Sequence, residues 1–243
     1  MKTFYQLLLT IACFGAFYVR SAGETLDSAE DNAGVAINQT DALIYPFAMT
    51  VSGILKGEAR VVISVDAQGK LNDALIVGYT DPVFAQAAVG ALKRWSYEPA
   101  RVRGAARASR AHVLFVFRND MGVMVQSLPG MTDANIMRNH NDRYAYTAYQ
   151  LRELDHIPVP SHVVPPDPSK AGLRGGKRTV TVEFYIDEEG RVRLPAVSRD
   201  EPDDAFAAAA VSAVEQWRFE PPVRKGRPVL VLAKQDFSFV QKS

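Results

Sequence analysis

Arg60-Val-Val-Ile-Ser-Val-Asp-Ala-Gln-Gly-Lys70 and Thr181-Val-Glu-Phe-Tyr-Ile-Asp-Glu-Glu-Gly-Arg191 are two versions of one pattern, 121 positions apart, and their likeness decides how this chain folds. Asp66 falls on Asp187 and Gly69 on Gly190. Further along, Trp95-Ser-Tyr-Glu-Pro99 aligns with Trp217-Arg-Phe-Glu-Pro221 at an offset of 122, after one inserted residue. The second offset also places Phe84 on Phe206, Gly104 on Gly226, Phe115 on Phe237 and Phe117 on Phe239. Self-similarity at a fixed period marks a repeated structural unit. The chain therefore carries two copies of a unit of roughly 70 to 80 residues.

Each copy can be read element by element. Val61, Ile63 and Val65 alternate with Val62 and Ser64, and Val182, Phe184 and Ile186 alternate with Glu183 and Tyr185. Period-two patterning predicts a strand with one buried face. Asp66 to Gly69 and Asp187 to Gly190 then read as hairpin turns, in which Asp caps through its side chain and Gly takes the positive φ. A second strand follows. Asp81-Pro82 and, in the other copy, Pro202-Asp203-Asp204 supply an acidic cap and a proline that start a helix. That helix carries Phe84, Ala88, Ala91, Leu92 and Trp95, matched by Phe206, Ala210, Ala213, Val214 and Trp217, a single apolar stripe. The last strand spans Arg110 to Phe117, and Val229 to Phe239 in the second copy. The predicted fold class is α+β: two tandem β-β-α-β units, each a helix packed on a small antiparallel sheet. Phe115, Phe117, Phe237 and Phe239, at i, i+2 spacing, and Trp95 and Trp217 read as core.

Outside the repeats, Met1 to Gly23 reads as an export signal: Lys2 is its positive head, Thr3 to Val19 its apolar run, and Ser21-Ala22-Gly23 its small-residue cleavage site. The same run is long enough for a short anchor if it is not cleaved. Cys13, the one cysteine, lies within it, so removal of the signal leaves no thiol for a disulfide. Residues 24–42, with Glu24, Asp27, Glu30 and Asp31, form a flexible acidic leader. The first domain takes 43–119, a connector 120–156 and the second domain 157–243. In the connector, Asn119-Asp120-Met121-Gly122 reads as a β-turn and Arg143 to Leu154 as a short helix. Ile157 to Pro168 holds five of the 14 prolines and should be extended.

Composition narrows function by exclusion. Hydrophobic residues at 47% and charged ones at 23% suit a globular protein and rule out a disordered chain or a polytopic transporter. The net charge is +1, so nothing global draws the chain to nucleic acid. The first unit is nevertheless basic, with ten Lys/Arg against five Asp/Glu over 43–119. Arg101, Arg103, Arg107 and Arg110 cluster before its last strand and read as a solvated hairpin. Histidines 112, 140, 156 and 162 lack the paired spacing of a zinc site, so no metal and no cofactor is expected. A GxSxG nucleophile motif is absent. Asp203-Asp204 and Glu188-Glu189 have structural roles in a cap and a turn, and no catalytic residue or enzymatic activity is expected.

The order of Asp-x-x-Gly hairpin, alanine-rich helix, Trp-x-aromatic-Glu-Pro and a final strand ending in Phe-x-Phe resembles the C-terminal domain of TonB. Asp66, Gly69, Trp95, Tyr97, Glu98 and Pro99, with Asp187, Gly190, Trp217, Phe219, Glu220 and Pro221, carry the resemblance and read as structural. Tyr45-Pro46-Phe47-Ala48 is similar to the Tyr-Pro-x-Ala element that precedes that fold, and Ile157-Pro158 is a looser match. The resemblance covers nearly all of 43–119 and 157–240.

What it implies is strand addition: a short segment of an outer-membrane receptor plug pairs with a sheet edge, main-chain hydrogen bonds giving affinity. The implied edges are the last strands, at Ser109, Arg110 and His112 in the first copy and Val229, Val231 and Lys234 in the second. Tyr45-Pro46 and Ile157-Pro158 flank them. TonB itself is anchored by a helix whose serine and histidine couple it to the proton-driven ExbB and ExbD complex. Here the apolar run has no histidine, and a leader of about 20 residues reaches about 70 Å even when fully extended. Coupling to ExbB and ExbD by this chain alone is therefore not expected. The expectation is a periplasmic binding module for an outer-membrane receptor segment or another envelope protein, in competition with a self-associating envelope protein, for example a homodimer.

Overall fold

The computed structural model describes residues 33–39, 41–120, 122–128, 143–167, 177–197 and 205–240. The expected export signal, most of the leader and the Pro202-Asp203-Asp204 cap lie outside the described residues. In the first unit β1 (Ala36–Asn38) and the short helix α1 (Phe47–Val51) lead into β2 (Lys56–Val65), β3 (Leu71–Tyr79) and α2 (Pro82–Leu92). Then come β4 (Ser96–Glu98), β5 (Ala100–Val102), β6 (Ala105–Arg107) and the long β7 (Ser109–Arg118). The linking region contributes β8 (Gly122–Ser127), β9 (Tyr146–Thr147), β10 (Tyr149–Gln150), a 3-10 turn at Leu151–Glu153 and β11 (Pro160–His162). The second unit follows with β12 (Lys177–Ile186), β13 (Val192–Val197), α3 (Ala205–Val214), β14 (Arg218–Phe219), β15 (Val223–Arg224), β16 (Arg227–Pro228) and β17 (Val231–Val240). The fold is a mixed α+β one dominated by sheet.

Local chemistry explains each turn. Asp66 Oδ1 accepts the Gln68 and Lys70 amides at 2.9 and 2.8 Å. Asp187 Oδ1 does the same for Glu189 and Arg191, at 3.1 and 2.8 Å. Gly69 and Gly190 sit at φ +81° and +79°, where a side chain is strained. They are also places of close approach: a Cβ on Gly69 would lie 2.5 Å from the Tyr97 carbonyl oxygen, and one on Gly190 1.9 Å from that of Phe219. The two halves of the repeated signature thus pack on each other, the aromatic of Trp-x-aromatic-Glu-Pro lying across the turn glycine. Asp81 caps α2 by accepting the Val83 amide at 2.9 Å, with Pro82 in the first turn.

The predicted helix stripes are buried. Phe84, Ala88, Ala91 and Leu92 meet Val61, Ile63, Val65, Val113, Phe115 and Phe117 in one core; Phe206, Ala210 and Val214 meet Val182, Phe184, Ile186, Val231 and Ala233 in the other. Trp95 stacks on Phe115 at 5.9 Å and donates its indole N–H to Asp41 at 2.7 Å. Trp217 lies 5.7 Å from Phe237 and donates to the Val164 carbonyl at 2.8 Å. The side chain of Phe239 lies outside the described residues.

A third core lies between the units. Val62, Leu75 and Val77 of the first sheet pack with Tyr185, Leu194, Leu230 and Leu232 of the second, around Ala148. β2 and β12 are therefore buried on both faces, where the alternation had predicted one. Val61-Val62-Ile63 and Phe184-Tyr185-Ile186 are unbroken apolar runs, the pattern of a doubly covered strand. The layers run α2, first sheet, second sheet, α3. Arg193 binds Asp73 across this boundary through Nε and Nη2, at 3.0 and 2.6 Å. Arg110 reaches Glu183 at 3.4 Å and the Leu194 carbonyl at 3.0 Å, so it belongs to the boundary and not to a solvated hairpin.

The connector corrects a second expectation. Arg143 to Leu154 is not helical apart from the 3-10 turn, because Tyr144, Tyr146 and Ala148 alternate with a period of two. Thr147 and Tyr146 pair with Gly78 and Tyr79 of β3, and Tyr149 and Gln150 pair with Val231 and Leu232 of β17. One extended run stitches both sheets together. Tyr146 stacks on Tyr79 at 5.1 Å and donates its hydroxyl to Glu188 of the second unit at 2.7 Å.

Candidate functional site

A sheet edge is a row of unpaired backbone donors and acceptors, so the location of open edges decides what these sheets can bind. The first sheet is ordered β8-β7-β2-β3-β9. Its last repeat strand, β7, is not an edge: β8 pairs with it from Val113↔Ser127 to Arg118↔Gly122, and the Leu128 amide donates to the His112 carbonyl at 2.9 Å. Among the described residues, β9 covers β3 only at Gly78 and Tyr79, the end of a nine-residue strand. The six-residue β8 becomes the outer strand on its side.

The second sheet is ordered β10-β17-β12-β13. β13 is blunted as an edge by Pro195, which has no N–H, by Leu194 at φ +50° and by a register break between Glu183 and Tyr185 in its partner. β17 differs. On one side it pairs with β12 along its whole length, from Ile186↔Val231 to Lys177↔Val240. On the other, among the described residues, β10 covers only Val231 and Leu232. Among the described residues, the stretch from Ala233 to Val240 is an open edge about eight residues long.

The family comparison bears directly on this difference. The model of the Gram-negative bacterial TonB protein C-terminal matches the chain twice, at residues 44–118 and 165–240. The chain belongs to this family. Its two TonB C-terminal segments contain β7 and β17 as their closing strands, while β8, at 122–127, lies beyond the end of the first match. The family ties the protein to TonB-related transport in the cell envelope. A search of curated proteins finds no match.

The side chains along the open edge fall on two faces. Toward α3, Ala233 is buried, Gln235 is half-buried, and Phe237 is half-buried against the Trp217 core. Phe115 and Phe117, the first-unit counterparts of 237 and 239, are fully buried at 0% exposure. What covers the first pair is β8, whose Val123 and Val125 pack onto that core opposite Phe117 and Phe115. On the other face Lys234, Asp236 and Ser238 are exposed. Lys234 pairs with Glu183, Asp236 accepts from the Thr181 hydroxyl at 2.7 Å, and Ser238 lies 3.1 Å from Thr179, which holds β17 in register on β12.

The residues that the TonB resemblance singled out scatter around this edge. Tyr45 is buried, edge-on to Phe84 at 5.7 Å, with its hydroxyl on the Ile54 carbonyl, and Pro46 caps α1. Ser109 sits at the start of β7 opposite Val65, and Arg110 in the boundary between units. His112 is buried at the end of the β8 contact. Val229 bonds the Pro222 carbonyl before β17 begins, and Val231 is buried under β10. Lys234 alone of the eight lies on the open stretch. Gln235, Asp236, Phe237 and Ser238 follow it on the same edge, and of these four the sequence singles out only Phe237, as core. The signal lay in the offset of 122, which maps β7 onto β17 but cannot show that a later segment covers only one of them.

Two tyrosines, Tyr146 at the boundary and Tyr97 in the first core, are held in their neutral forms. Burial, then the hydrogen bond to Glu188, pushes the Tyr146 hydroxyl well above the ordinary tyrosine range, and burial pushes Tyr97 up to about 12. Among the described residues no three His, Cys, Asp or Glu side chains come together as a metal site. No described helix is long and apolar enough to cross a membrane.

Proposed function

We propose that this protein is a periplasmic binding module that captures a short extended segment of an outer-membrane TonB-dependent receptor, or of another envelope protein, by strand addition to β17, and so contributes to TonB-dependent transport. The observation that carries the reading is the open edge from Ala233 to Val240 beside the half-buried Phe237. Main-chain hydrogen bonds along such an edge supply affinity without demanding much sequence, which suits capture of a plug segment. The reading needs no catalysis, no cofactor and no nucleic acid.

The test is a titration of the isotope-labelled chain with receptor plug peptides. Binding should shift the amide signals of Ala233 to Ser238 and slow their hydrogen exchange, leaving β7 unaffected. Absence of saturable shifts, together with a dimer in solution scattering, would replace receptor binding by self-association through the same edge.

A further inference from the structure

The first unit contains its own worked example of a strand added to this kind of edge, and β17 is the same strand 122 positions later. We infer that β8 displays the chemistry of the segment that completes β17: an extended run with two small branched apolar side chains two residues apart on the α3 face, and a polar or basic residue between that pair and a flanking small polar one. The inference rests on the strand-addition reading above and adds the identity of the ligand side chains.

The register supplies the detail. On β7, Val125 stands opposite Phe115, Val123 opposite Phe117, and Ser127 opposite Val113. Residues directly opposite in an antiparallel pair share a face, so these three lie on the helix side. Moved by 122, the same register sets a valine opposite Phe237, a second valine opposite position 239, and a serine opposite Gln235. The half-buried Phe237 gains the cover that Phe115 already has. Gln235 replaces the buried Val113, and a small polar partner suits it. On the other face, Gln126 stands opposite Leu114 and Met124 opposite Val116. Their counterparts in the second unit are the exposed Asp236 and Ser238. The apolar Leu114 has thus become a carboxylate, and the ligand residue facing it should be basic or neutral and never acidic.

The probe is the heptapeptide of residues Gly122 to Leu128, added in trans to the full chain and followed by amide shifts. Saturable 1:1 binding at millimolar concentration, confined to Ala233 to Ser238, is expected. Changing the peptide residue at the Gln126 position to Lys should tighten binding roughly two- to fivefold, and to Asp should weaken it by as much. Changing both valines to aspartate should abolish it. Asp236→Asn in the protein should erase the preference for Lys over Asp while leaving the requirement for the valines. Binding that ignores the valines, or no saturable binding of the parent heptapeptide, overturns the inference. Receptor plug peptides that bind while the heptapeptide does not would leave strand addition standing and sink only the ligand chemistry. The reverse result would sink only the receptor as partner.

Discussion

Arg193 of the second unit holds Asp73 of the first through Nε at 3.0 Å and Nη2 at 2.6 Å, an ion pair that spans the boundary between the two repeats. Both side chains are about 30% exposed, so water screens the pair. A bidentate Arg–carboxylate contact in such surroundings contributes about 1 kcal/mol. Asp73→Asn should lower the stability of the whole chain by about that amount, with a smaller effect at high salt. A double-mutant cycle with Arg193→Ala in denaturant unfolding checks it, and full additivity would show that the pair contributes nothing.

Gly190 is the tightest point of the repeated signature. Alanine there would place its Cβ 1.9 Å from the Phe219 carbonyl oxygen at φ +79°, so both the turn and the docking of the aromatic must give way. Gly190→Ala should cost more than 2 kcal/mol, an order of magnitude typical of a strained left-handed position with a backbone clash. Gly122→Ala is the control: it has a similar φ of +78° but nothing within 4 Å, and should cost only about 1 kcal/mol. Equal midpoints for the two variants in thermal unfolding would contradict the close-approach explanation.

How far the sequence led can be judged from particular residues. Asp66 and Asp187, the alanine stripes and both tryptophans were legible because hairpins, caps and helix faces are set by neighbours a few positions away. Val62 and Tyr185 were read as the outward face of their strands because what buries them is the other repeat, some 120 residues distant. Arg143 to Leu154 reads as a short helix in the sequence, because the alternation of Tyr144, Tyr146 and Ala148 that marks it as extended is short, the segment lending each sheet only two residues. The same holds for the site: the fold of β7 and β17 was legible, and their difference in cover was not, because β8 is a third-party strand that no property of β7 announces.

Alkaline pH should loosen the fold in a defined window. Burial raises Tyr97 to about 12 against an ordinary 10, and burial with the Glu188 contact raises Tyr146 further. A folded-state pKa above the unfolded one gives stability that is complete below pH 10 and is lost as pH rises through the folded value. For Tyr97 the contribution is on the order of a few kcal/mol at most. Urea midpoints should be flat from pH 7 to 9 and fall steeply between pH 10 and 12. Tyr97→Phe gives up the hydrogen bond to the Leu92 carbonyl, about 1 kcal/mol at neutral pH, and should make the alkaline fall shallower. An identical alkaline slope in that variant would remove Tyr97 from the account.

Release of β8 should give the first unit an open edge of the kind that β17 shows. Val125 packs onto the first core opposite Phe115, and an aspartate in its place would carry an unpaired charge against an apolar surface. Val125→Asp should therefore unpair β8 at a cost of about 1 to 3 kcal/mol, leaving α2 and the sheet β7-β2-β3 held by their own core. The exposed edge of β7, with Phe115 and Phe117 uncovered, then has the form that β17 shows in the parent chain. Titration calorimetry with the Gly122–Leu128 heptapeptide should give a stoichiometry near one for the parent and near two for the variant. Circular dichroism and a cooperative melt confirm that the variant is folded. A folded variant that still binds one peptide would mean that the first unit is not an acceptor even when bare, and that the difference between the repeats lies in β7 itself and not in its cover.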